Sequence, residues 1–454
     1  MLCYNKFMNI YISGISGTGM GPLALMAKDA GMTVFGSDAM PGAVTNELVA
    51  NGIKVYLGEQ DGEFLKARAK NEGVDWFVYT SALPEDHPEL LMAKKLKIKH
   101  ISKRDELISY LVKKLKLKMI AVAGTHGKTT TTAMIIWACM KLGIPVSYLI
   151  GTTLPFAEAG KYDPKSEYFI YEADEYDRNF LAYHPWLAAI PVVTYDHPDI
   201  YPTVQGYQDA FRQFERQSET VVKGDEIAAD VDLAGEARRY DATLAIDVVQ
   251  RIMPKPRGLG RFAAFSGPAA RSSRKKIVEA INQFPGVGRR FEQVSEGYYS
   301  DYAHHPEEVA ATVEIAREEA ERRGLKGVVV VYEPHQNIRQ SELADDYAEA
   351  FEGVARLYWL PTYLTREDPS LKVLTPADFI ERLAPASRKV AEAAELNDKL
   401  AAELLKWHEK GYLVLLMTAG PADLWLRKLV YAGNQESAAT QFVHAPRDAT
   451  ENAK

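Results

Sequence analysis

AVAGTHGKTTTT, residues 121–132, is the stretch that decides the fold of this chain. The apolar residues 119–123 predict a strand, a loop with two glycines follows at 124–129, and residues 131–142 have the pattern of a helix. Glycines between a strand and a helix let backbone N–H groups converge on phosphate oxygens at the positive end of the helix dipole. The stretch therefore predicts a phosphate-binding loop in an α/β fold.

Two side chains of this loop indicate nucleoside triphosphate chemistry. Lys128 would supply a positive charge to the β- and γ-phosphates, and the Thr129 hydroxyl would ligate Mg²⁺. The loop departs from GxxxxGK[ST], because Val122 stands where the first glycine is expected and Gly124 and Gly127 supply the glycines. The alternative is an ordinary glycine turn with a solvated lysine, but the flanking strand and helix favour phosphate binding.

Composition limits the class of protein. The chain has 454 residues, for which roughly three domains are expected, and 47% hydrophobic and 25% charged residues describe a globular protein. The net charge of −7 argues against nucleic-acid binding. Cys3 and Cys139 are the only cysteines, too few for a disulfide framework or a thiolate cluster. Without an apolar run of about 20 residues or a signal peptide, we expect a cytoplasmic protein with no membrane partner.

The N-terminal sequence predicts a second nucleotide site. Gly14, Gly17 and Gly19 form GxxGxG between a predicted strand at 8–13 and a helix at 21–31. Asp38 ends the next strand about 20 residues later, where a ribose contact is expected. A tight turn without a ligand is the alternative.

Carboxylates follow the next strands of the central region. A strand at 168–171 delivers Glu172 and Asp174, and a strand at 187–193 delivers Asp196 and His197. A carboxylate at a strand end beside a phosphate loop is the usual partner for Mg²⁺. The alternative, that Asp174, Glu175 and Asp177 cap a turn and His197 is structural, is weakened by the phosphate loop. Residues 253–276 are basic and irregular and receive no function, and a third α/β unit follows them.

Taken in order, the motifs resemble the Mur ligase family, the ATP-dependent enzymes that build the peptide stem of peptidoglycan. They are GISGTGMG, GSD at residues 36–38, TSALPEDHPE, GTHGKTTTT, EADEYD, YDHPDIY, GVGRRFE, DYAHHPEEV and PHQNIR. The resemblance implies three α/β domains and a tail. They are an N-terminal Rossmann-like UDP-sugar-binding domain (1–116), a central P-loop ATPase domain (117–284), a C-terminal Rossmann-like amino-acid-binding domain (285–433) and a polar, disordered tail (434–454).

Within the family, the motifs are most similar to the branch that joins L-alanine to the carboxylate of UDP-N-acetylmuramate. This implies that ATP phosphorylates the carboxylate and that the amine of alanine then displaces phosphate from the acyl phosphate. The implied cofactors are ATP and Mg²⁺ or Mn²⁺. The implied partners are UDP-N-acetylmuramate, ATP and L-alanine, without nucleic acid, in a monomer or weak homodimer.

The resemblance also assigns residues to sites. The catalytic residues are Lys128, Glu172 and His197, and the metal ligands are Thr129, Glu172 and His197. The ATP contacts are Gly124, Thr125, His126, Gly127, Lys128, Thr129, Thr130, Arg290 and Asp301. The UDP-sugar contacts are Gly14, Ile15, Ser16, Gly17, Thr18, Gly19, Met20, Ser37, Asp38, Ser81 and Ala82. The alanine contacts are Tyr302, His335 and Arg339, of which Arg339 pairs with the alanine carboxylate.

Three departures from the family pattern leave questions open. No lysine lies between His197 and Lys223, so the carbamylated lysine that bridges two metals in some relatives is not expected. The family's His-Asn pair for adenine is missing, and the irregular residues 253–276 stand in its place. Glu333 and Pro334 also fit the branch that attaches a whole tripeptide.

Other functions therefore stay open at this point. One is a recycling ligase that attaches L-Ala-γ-D-Glu-diaminopimelate to UDP-N-acetylmuramate. Another is a nucleotide-binding protein without ligase activity, which only the irregular segment 253–276 favours. A dinucleotide-dependent oxidoreductase would explain GxxGxG and Asp38 but leaves the phosphate loop without a role.

Overall fold

The computed structural model describes residues 8–80, 83–197, 200–254, 268–365, 367 and 370–431. Three β-sheets, each with helices, lie in these residues and confirm the predicted α/β fold class. The chain forms two compact units: Met1–Leu233 with Ala237–Gly288, and Ala234–Glu236 with Arg289–Lys454. The first two sheets lie in the first unit and the third sheet lies in the second. The domain boundaries after residues 116, 284 and 433 stay predictions.

The first sheet has the strand order of a dinucleotide-binding fold. Its strands are β1 (Asn9–Ser13), β2 (Thr33–Asp38), β3 (Lys54–Leu57), β4 (Trp76–Tyr79) and β5 (His100–Lys103). Its helices are α1 (Gly21–Asp29), α2 (Thr45–Ala50), α3 (Glu63–Asn71), α4 (Pro88–Lys95) and α5 (Arg104–Leu115). The strands are parallel in the order β3-β2-β1-β4-β5. The order reverses at β1, and ligands of open α/β sheets bind beyond the carboxyl ends of the strands at such a point.

The central sheet carries the phosphate loop on an inner strand. Its strands are β6 (Lys118–Val122), β7 (Ser147–Leu149), β8 (Gly160–Lys161), β9 (Tyr168–Glu172), β10 (Leu187–Ile190) and β11 (Val221–Lys223). Its helices are α6 (Lys128–Lys141), α7 (Val204–Gln217), α8 (Glu236–Ile252) and α9 (Pro268–Ile281), with a 3₁₀ segment at Tyr176–Ala182. The order is β11-β10-β6-β9-β7-β8, and only β8 pairs antiparallel. The loops after β6, β9 and β10 therefore meet at one edge.

The third sheet is parallel except at one edge. Its strands are β12 (Glu292–Ser295), β13 (Tyr298–Asp301), β14 (Val328–Glu333), β15 (Arg356–Trp359), β16 (Ala391–Ala393) and β17 (Leu413–Thr418). Its helices are α10 (Pro306–Arg322), α11 (Asn337–Leu343), α12 (Pro376–Ile380), α13 (Pro385–Val390) and α14 (Asp398–Glu409), and residues 422–431 are also helical. The order is β12-β13-β17-β14-β15-β16, with β12 antiparallel. All six residues of β14 are buried, as expected for a central strand covered on both faces.

Two helices flank the segment 253–276, which the sequence analysis described as irregular. Helix α8 ends at Ile252, directly before this segment, and α9 begins at Pro268 within it. The periodicity of α8 is obscured because its buried positions include the polar residues Asp241 and Thr243. Residues 255–267 of the irregular segment lie outside the described residues. No helix in the described ranges is long and apolar enough to span a membrane.

The first sheet and the central sheet are joined by direct contacts within the first unit. The Ala159 amide donates to the Glu47 carboxylate at 2.9 Å, and the Tyr162 amide donates to Asp29 at 3.2 Å. An ideal Cβ on Gly160 would lie 2.0 Å from the Pro22 carbonyl oxygen, so α1 and β8 touch through backbone atoms. The glycine loop before α1 and the phosphate loop before α6 are therefore held in one packed body.

Candidate functional site

The phosphate loop needs its two glycines for steric reasons. Gly127 lies in the left-handed region at φ 81°, and an ideal Cβ there would be 2.2 Å from Oδ1 of Asp241. A Cβ on Gly124 would be 2.7 Å from the Val192 carbonyl oxygen. Neighbouring segments thus close around the loop backbone, which explains the two glycines without the missing first glycine of the usual pattern.

Lys128 is the first residue of α6, and its ammonium is turned back onto the protein. Its Nζ donates to the carbonyls of Gly124 at 2.6 Å and Thr125 at 3.1 Å, and to the Glu175 carboxylate at 2.9 Å. Burial opposes the charge, but Glu175 outweighs it and raises the pKa of Lys128. Three donors of the ammonium are engaged, so a phosphate oxygen must displace at least one of these acceptors.

Thr129 and Glu172 are brought together as the metal prediction requires. The Thr129 hydroxyl donates to Oε1 of Glu172 at 2.5 Å, and the Gly151 amide donates to Oε2 at 2.9 Å. A hydroxyl and a carboxylate are hard oxygen ligands of the kind that Mg²⁺ prefers, and a site with two protein ligands leaves room for water and phosphate. The donor set fits Mg²⁺, and these two residues would hold it.

Glu175, which the sequence analysis considered only as a turn cap, contacts two of the predicted catalytic residues. Its side chain is 1% exposed and lies between two predicted catalytic groups. Its carboxylate is 2.8 Å from Nζ of Lys128 and 3.5 Å from Nε2 of His197. Burial would raise the pKa of Glu175, but Lys128 and the hydrogen bond from His197 outweigh it and lower the pKa. The buried carboxylate therefore stays ionised and connects Lys128 to His197.

His197 is held in an uncommon backbone conformation at the end of the β10 loop. Its φ of 59° is in the left-handed region, and its ring stands edge-on to Tyr176 with centroids 5.1 Å apart. Burial opposes protonation, but the hydrogen bond to Glu175 and the charge of Asp196 raise the pKa of the imidazole. The structure therefore places His197 at the same carboxylate as Lys128.

Other residues predicted to contact ATP make contacts within the protein. The Thr125 hydroxyl donates to the Thr194 carbonyl at 2.6 Å and is 2.7 Å from the Tyr207 hydroxyl, so its side chain anchors the loop. His126 pairs with Val192 through a backbone bridge. Thr130 is the third residue of α6. Contacts of Thr125, His126 and Thr130 with ATP stay predictions, and for Thr125 only the backbone fits that role.

The predicted UDP-sugar loop follows β1 as a compact turn. The amides of Gly14 and Ile15 donate to the Ser37 carbonyl at 2.9 and 3.0 Å, and the Ser16 amide donates to the Asp38 carboxylate at 2.9 Å. The side chains of Ile15, Met20 and Ser37 are buried, and the Ser37 hydroxyl donates to Glu89 at 2.6 Å. Those three can therefore offer only backbone atoms to a ligand. Gly17, Thr18 and Gly19 complete the turn, and Ser81 and Ala82 lie outside the described residues.

The predicted alanine contacts gather around a histidine that the sequence interpretation omitted. His304 has its ring centroid 5.5 Å from those of both Tyr302 and His335. Burial lowers the pKa of His304 to about 4, and the positive charge of Arg339 contributes. The Nδ1 atom of His304 is 2.9 Å from the Tyr302 carbonyl, so Nδ1 carries the proton of this neutral ring. The Nη1 atom of Arg339 is buried and donates no hydrogen bond to the described residues.

Asp301 and Arg290, predicted to contact ATP, both have partners within the second unit. The Asp301 carboxylate accepts from the Phe291 amide at 2.6 Å and the Ala303 amide at 2.7 Å. The Arg290 guanidinium lies 5.3 Å from the ring centroid of Tyr302. Burial raises the pKa of Asp301, against the charge of Arg290. Their contact with ATP stays a prediction.

Family models match three consecutive parts of the chain. Residues 9–114 match the Mur ligase family catalytic domain, residues 122–246 match the Mur ligase middle domain, and residues 289–420 match the Mur ligase glutamate ligase domain. The chain belongs to the Mur ligase family. These matches confirm the family predicted from the motifs.

Curated relatives of this Mur ligase carry the name UDP-N-acetylmuramate–L-alanine ligase. The protein of Symbiobacterium thermophilum is 30% identical, over 92% of this chain and 93% of its own length. That of Syntrophomonas wolfei is 32% identical, over 75% of this chain and 79% of its own length.

Solved structures share the fold of this Mur ligase. The UDP-N-acetylmuramate–alanine ligase of Thermotoga maritima matches with a TM-score of 0.71 at 22% identity, covering 94% of this chain and 100% of that chain. A murein peptide ligase of Psychrobacter arcticus matches with a TM-score of 0.59 at 21% identity, covering 94% of this chain and 98% of that chain. At these identities the matches support the three-domain fold.

Helix α8 supplies a side chain that packs on the phosphate loop of this Mur ligase. Asp241 accepts a hydrogen bond from Thr131 at 3.1 Å and borders Gly127.

Proposed function

We propose that this Mur ligase joins L-alanine to the carboxylate of UDP-N-acetylmuramate, with cleavage of ATP to ADP and phosphate. The observation that carries the proposal is the group of Lys128, Thr129, Glu172 and His197 at one edge of the central sheet. The names of the curated relatives support L-alanine as the acceptor. We expect the reaction in the cytoplasm, and a monomer or weak homodimer stays our prediction.

The first step makes an acyl phosphate. A carboxylate oxygen of UDP-N-acetylmuramate attacks the γ-phosphorus of ATP, and the bond from that phosphorus to the bridging oxygen breaks as ADP leaves. The Lys128 ammonium gives up its hydrogen bond to Gly124, Thr125 or Glu175 and donates to phosphate oxygens instead. There its positive charge offsets the negative charge on the transferring phosphoryl group. A Mg²⁺ ion held by Thr129 and Glu172 would supply further charge neutralisation.

The second step transfers the acyl group to the amino acid. The alanine nitrogen attacks the acyl carbon, the carbon–oxygen bond to phosphate breaks, and the nitrogen loses a proton. Arg339 has a buried Nη1 that suits the alanine carboxylate as a charge-assisted partner. His304 is neutral at pH 7, so it adds no positive charge against the incoming amine.

The test is phosphate release from ATP with UDP-N-acetylmuramate and Mg²⁺ across four acceptors: L-alanine, L-serine, glycine and L-Ala-γ-D-Glu-diaminopimelate. We expect the highest kcat/KM with L-alanine and formation of UDP-N-acetylmuramoyl-L-alanine, with none by Lys128→Ala. Turnover with the tripeptide alone would favour the recycling ligase. Absence of release with every acceptor, while both nucleotides bind, would favour a nucleotide-binding protein without ligase activity.

A further inference from the structure

Arg104 carries a guanidinium that the predicted sites do not use. It is the first residue of α5, and its side chain is 22% exposed. Its Nη2 atom is 3.8 Å from the Asp174 carboxylate, which is beyond hydrogen-bond distance. None of its five N–H donors makes a hydrogen bond with the residues that the structure describes. A guanidinium largely withdrawn from water without acceptors is costly unless a ligand supplies them.

The guanidinium lies against the glycine loop of the first sheet. An ideal Cβ on Gly19 would be 2.1 Å from Nη1 of Arg104 and 3.4 Å from Cζ. The absence of a side chain at Gly19 is therefore what lets the guanidinium reach the loop. Gly19 lies two residues before α1, at the carboxyl edge of β1, where open α/β sheets bind the diphosphate of a nucleotide.

Asp174 is the carboxylate that forms an ion pair with Arg104. It lies two residues beyond Glu172 and accepts from the Tyr176 amide at 3.0 Å, which orients its carboxylate. Arg104 comes from the first sheet and Asp174 from the central sheet, and both belong to one compact unit. Asp174 therefore attracts the guanidinium without occupying its donors.

We propose that Arg104 binds the diphosphate of the sugar nucleotide, in addition to the backbone of the glycine loop. The identity of this ligand rests on the proposed function. The planar guanidinium presents paired N–H groups that match two phosphate oxygens, and it keeps its charge in a partly buried place. Arg104 is thus a substrate-binding residue that the sequence motifs did not identify.

Calorimetric titration tests the proposal without turnover. UDP and UDP-N-acetylmuramate are each titrated into the full-length wild type, Arg104→Gln, Arg104→Lys and a control, Arg68→Gln. Arg68 is also a partly buried arginine of the first sheet's helices, but it pairs with Glu72 at 2.7 Å. We expect Arg104→Gln to lower the affinity for both ligands at least tenfold and by the same factor. Arg104→Lys should lower both affinities less, and Arg68→Gln should bind both ligands as tightly as the wild type does.

Two results would overturn the proposal: unchanged UDP affinity in Arg104→Gln, or a loss confined to UDP-N-acetylmuramate, which would point to its carboxylate instead. Thermal unfolding with and without ATP checks that the variants fold, because a folded variant should still be stabilised by ATP. If Arg104→Gln does not fold, the titration of Arg104→Lys carries the test, and this variant must still bind UDP more weakly than the wild type. UDP binding is measured apart from phosphate release, so failure of the ligase reaction and failure of this inference are distinguishable.

Discussion

Glu175 shows how a single buried carboxylate can hold the ammonium of the phosphate loop in place. We predict that Glu175→Gln lowers the free energy of unfolding by about 3 kcal/mol, because it leaves the buried Lys128 without its counter-charge. ATP should stabilise the variant more than the wild type, since phosphate oxygens then replace the missing charge without displacing Glu175. Urea unfolding with and without ATP measures both effects.

The matched control is Glu167→Gln, which removes the carboxylate of an exposed ion pair between Lys118 and Glu167, whose Nζ and Oε2 atoms are 3.8 Å apart. That change should cost ~0.5 kcal/mol or less. Equal stabilisation of the wild type and Glu175→Gln by ATP would show that Glu175 does not compete with phosphate.

Arg339 is the residue on which recognition of a small acceptor should depend. Free alanine offers a carboxylate, an amine and a methyl group, so its orientation relies strongly on the carboxylate pair. We predict that Arg339→Lys raises the KM for alanine at least tenfold and leaves the KM for ATP nearly unchanged, because lysine cannot reproduce a bidentate pair. Steady-state kinetics checks this against Arg382→Lys, an exposed arginine of the same unit paired with Asp345. An unchanged alanine KM would remove Arg339 from the acceptor site.

His304 should make stability depend on pH. Its folded pKa of about 4 lies below the ordinary value of about 6.5, so its neutral form is favoured in the folded state. The stability from this residue is fully present above pH 6.5 and is lost as pH falls from there towards 4. We predict that His304→Gln flattens the decline of the unfolding free energy in this window. Urea unfolding from pH 4 to 8 measures it, with the exposed His184→Gln as control; identical slopes for the wild type and His304→Gln would refute the prediction.

At the scale of elements, Glu89 joins three parts of the first domain. It lies in the first turn of α4 and is 1% exposed. Its carboxylate accepts from Tyr11 at 2.6 Å, Ser13 at 2.5 Å, Ser37 at 2.6 Å and Gln60 at 3.1 Å. One acid thereby ties α4 to the carboxyl ends of β1 and β2, beside the predicted UDP-sugar loop.

We predict that Glu89→Gln destabilises the protein by ~3 kcal/mol. The amide of glutamine would point its own donors at neighbours that are donors themselves, which leaves buried polar groups unpaired. Thermal and urea unfolding measure the loss, and the exposed Glu85→Gln of the preceding loop should change stability little. Wild-type stability in Glu89→Gln would mean that the four donors have other acceptors.

For the whole molecule, two nucleotides should bind at two loops that respond separately. We predict that Lys128→Ala removes the rise in Tm caused by ATP but keeps the rise caused by UDP-N-acetylmuramate, since a ligand stabilises only through its own site. At 100 times Kd, each bound ligand contributes ~2.7 kcal/mol. Lys141→Ala, at the exposed far end of α6, should respond to both ligands as the wild type does. Loss of both responses in Lys128→Ala would contradict the two-site interpretation.

The sequence by itself determined the family, the α/β class and the loops that carry chemistry. Glycine loops, strand ends and the first turns of helices are local features, because strand–loop–helix geometry is set by neighbouring residues. The sequence thus placed Lys128, Thr129 and Glu172 at one sheet edge, and the structure joins Thr129 to Glu172 at 2.5 Å. Helix α8 was not predicted from the sequence because polar residues occupy some of its buried positions. The burial of those residues depends on their packing partners.

Only the tertiary structure decided which of the many charged side chains act together. Glu175 lies 47 residues from Lys128, and a carboxylate among several in EADEYD carries no local sign of which cation it will meet. Arg104 opens an ordinary amphipathic helix in the sequence, and its contact with Gly19 exists only because two segments of the first sheet converge at the carboxyl edge of β1. Such contacts depend on how segments that are distant in the sequence pack together. Residue spacing and hydrophobic periodicity do not predict the distance between side chains on such segments.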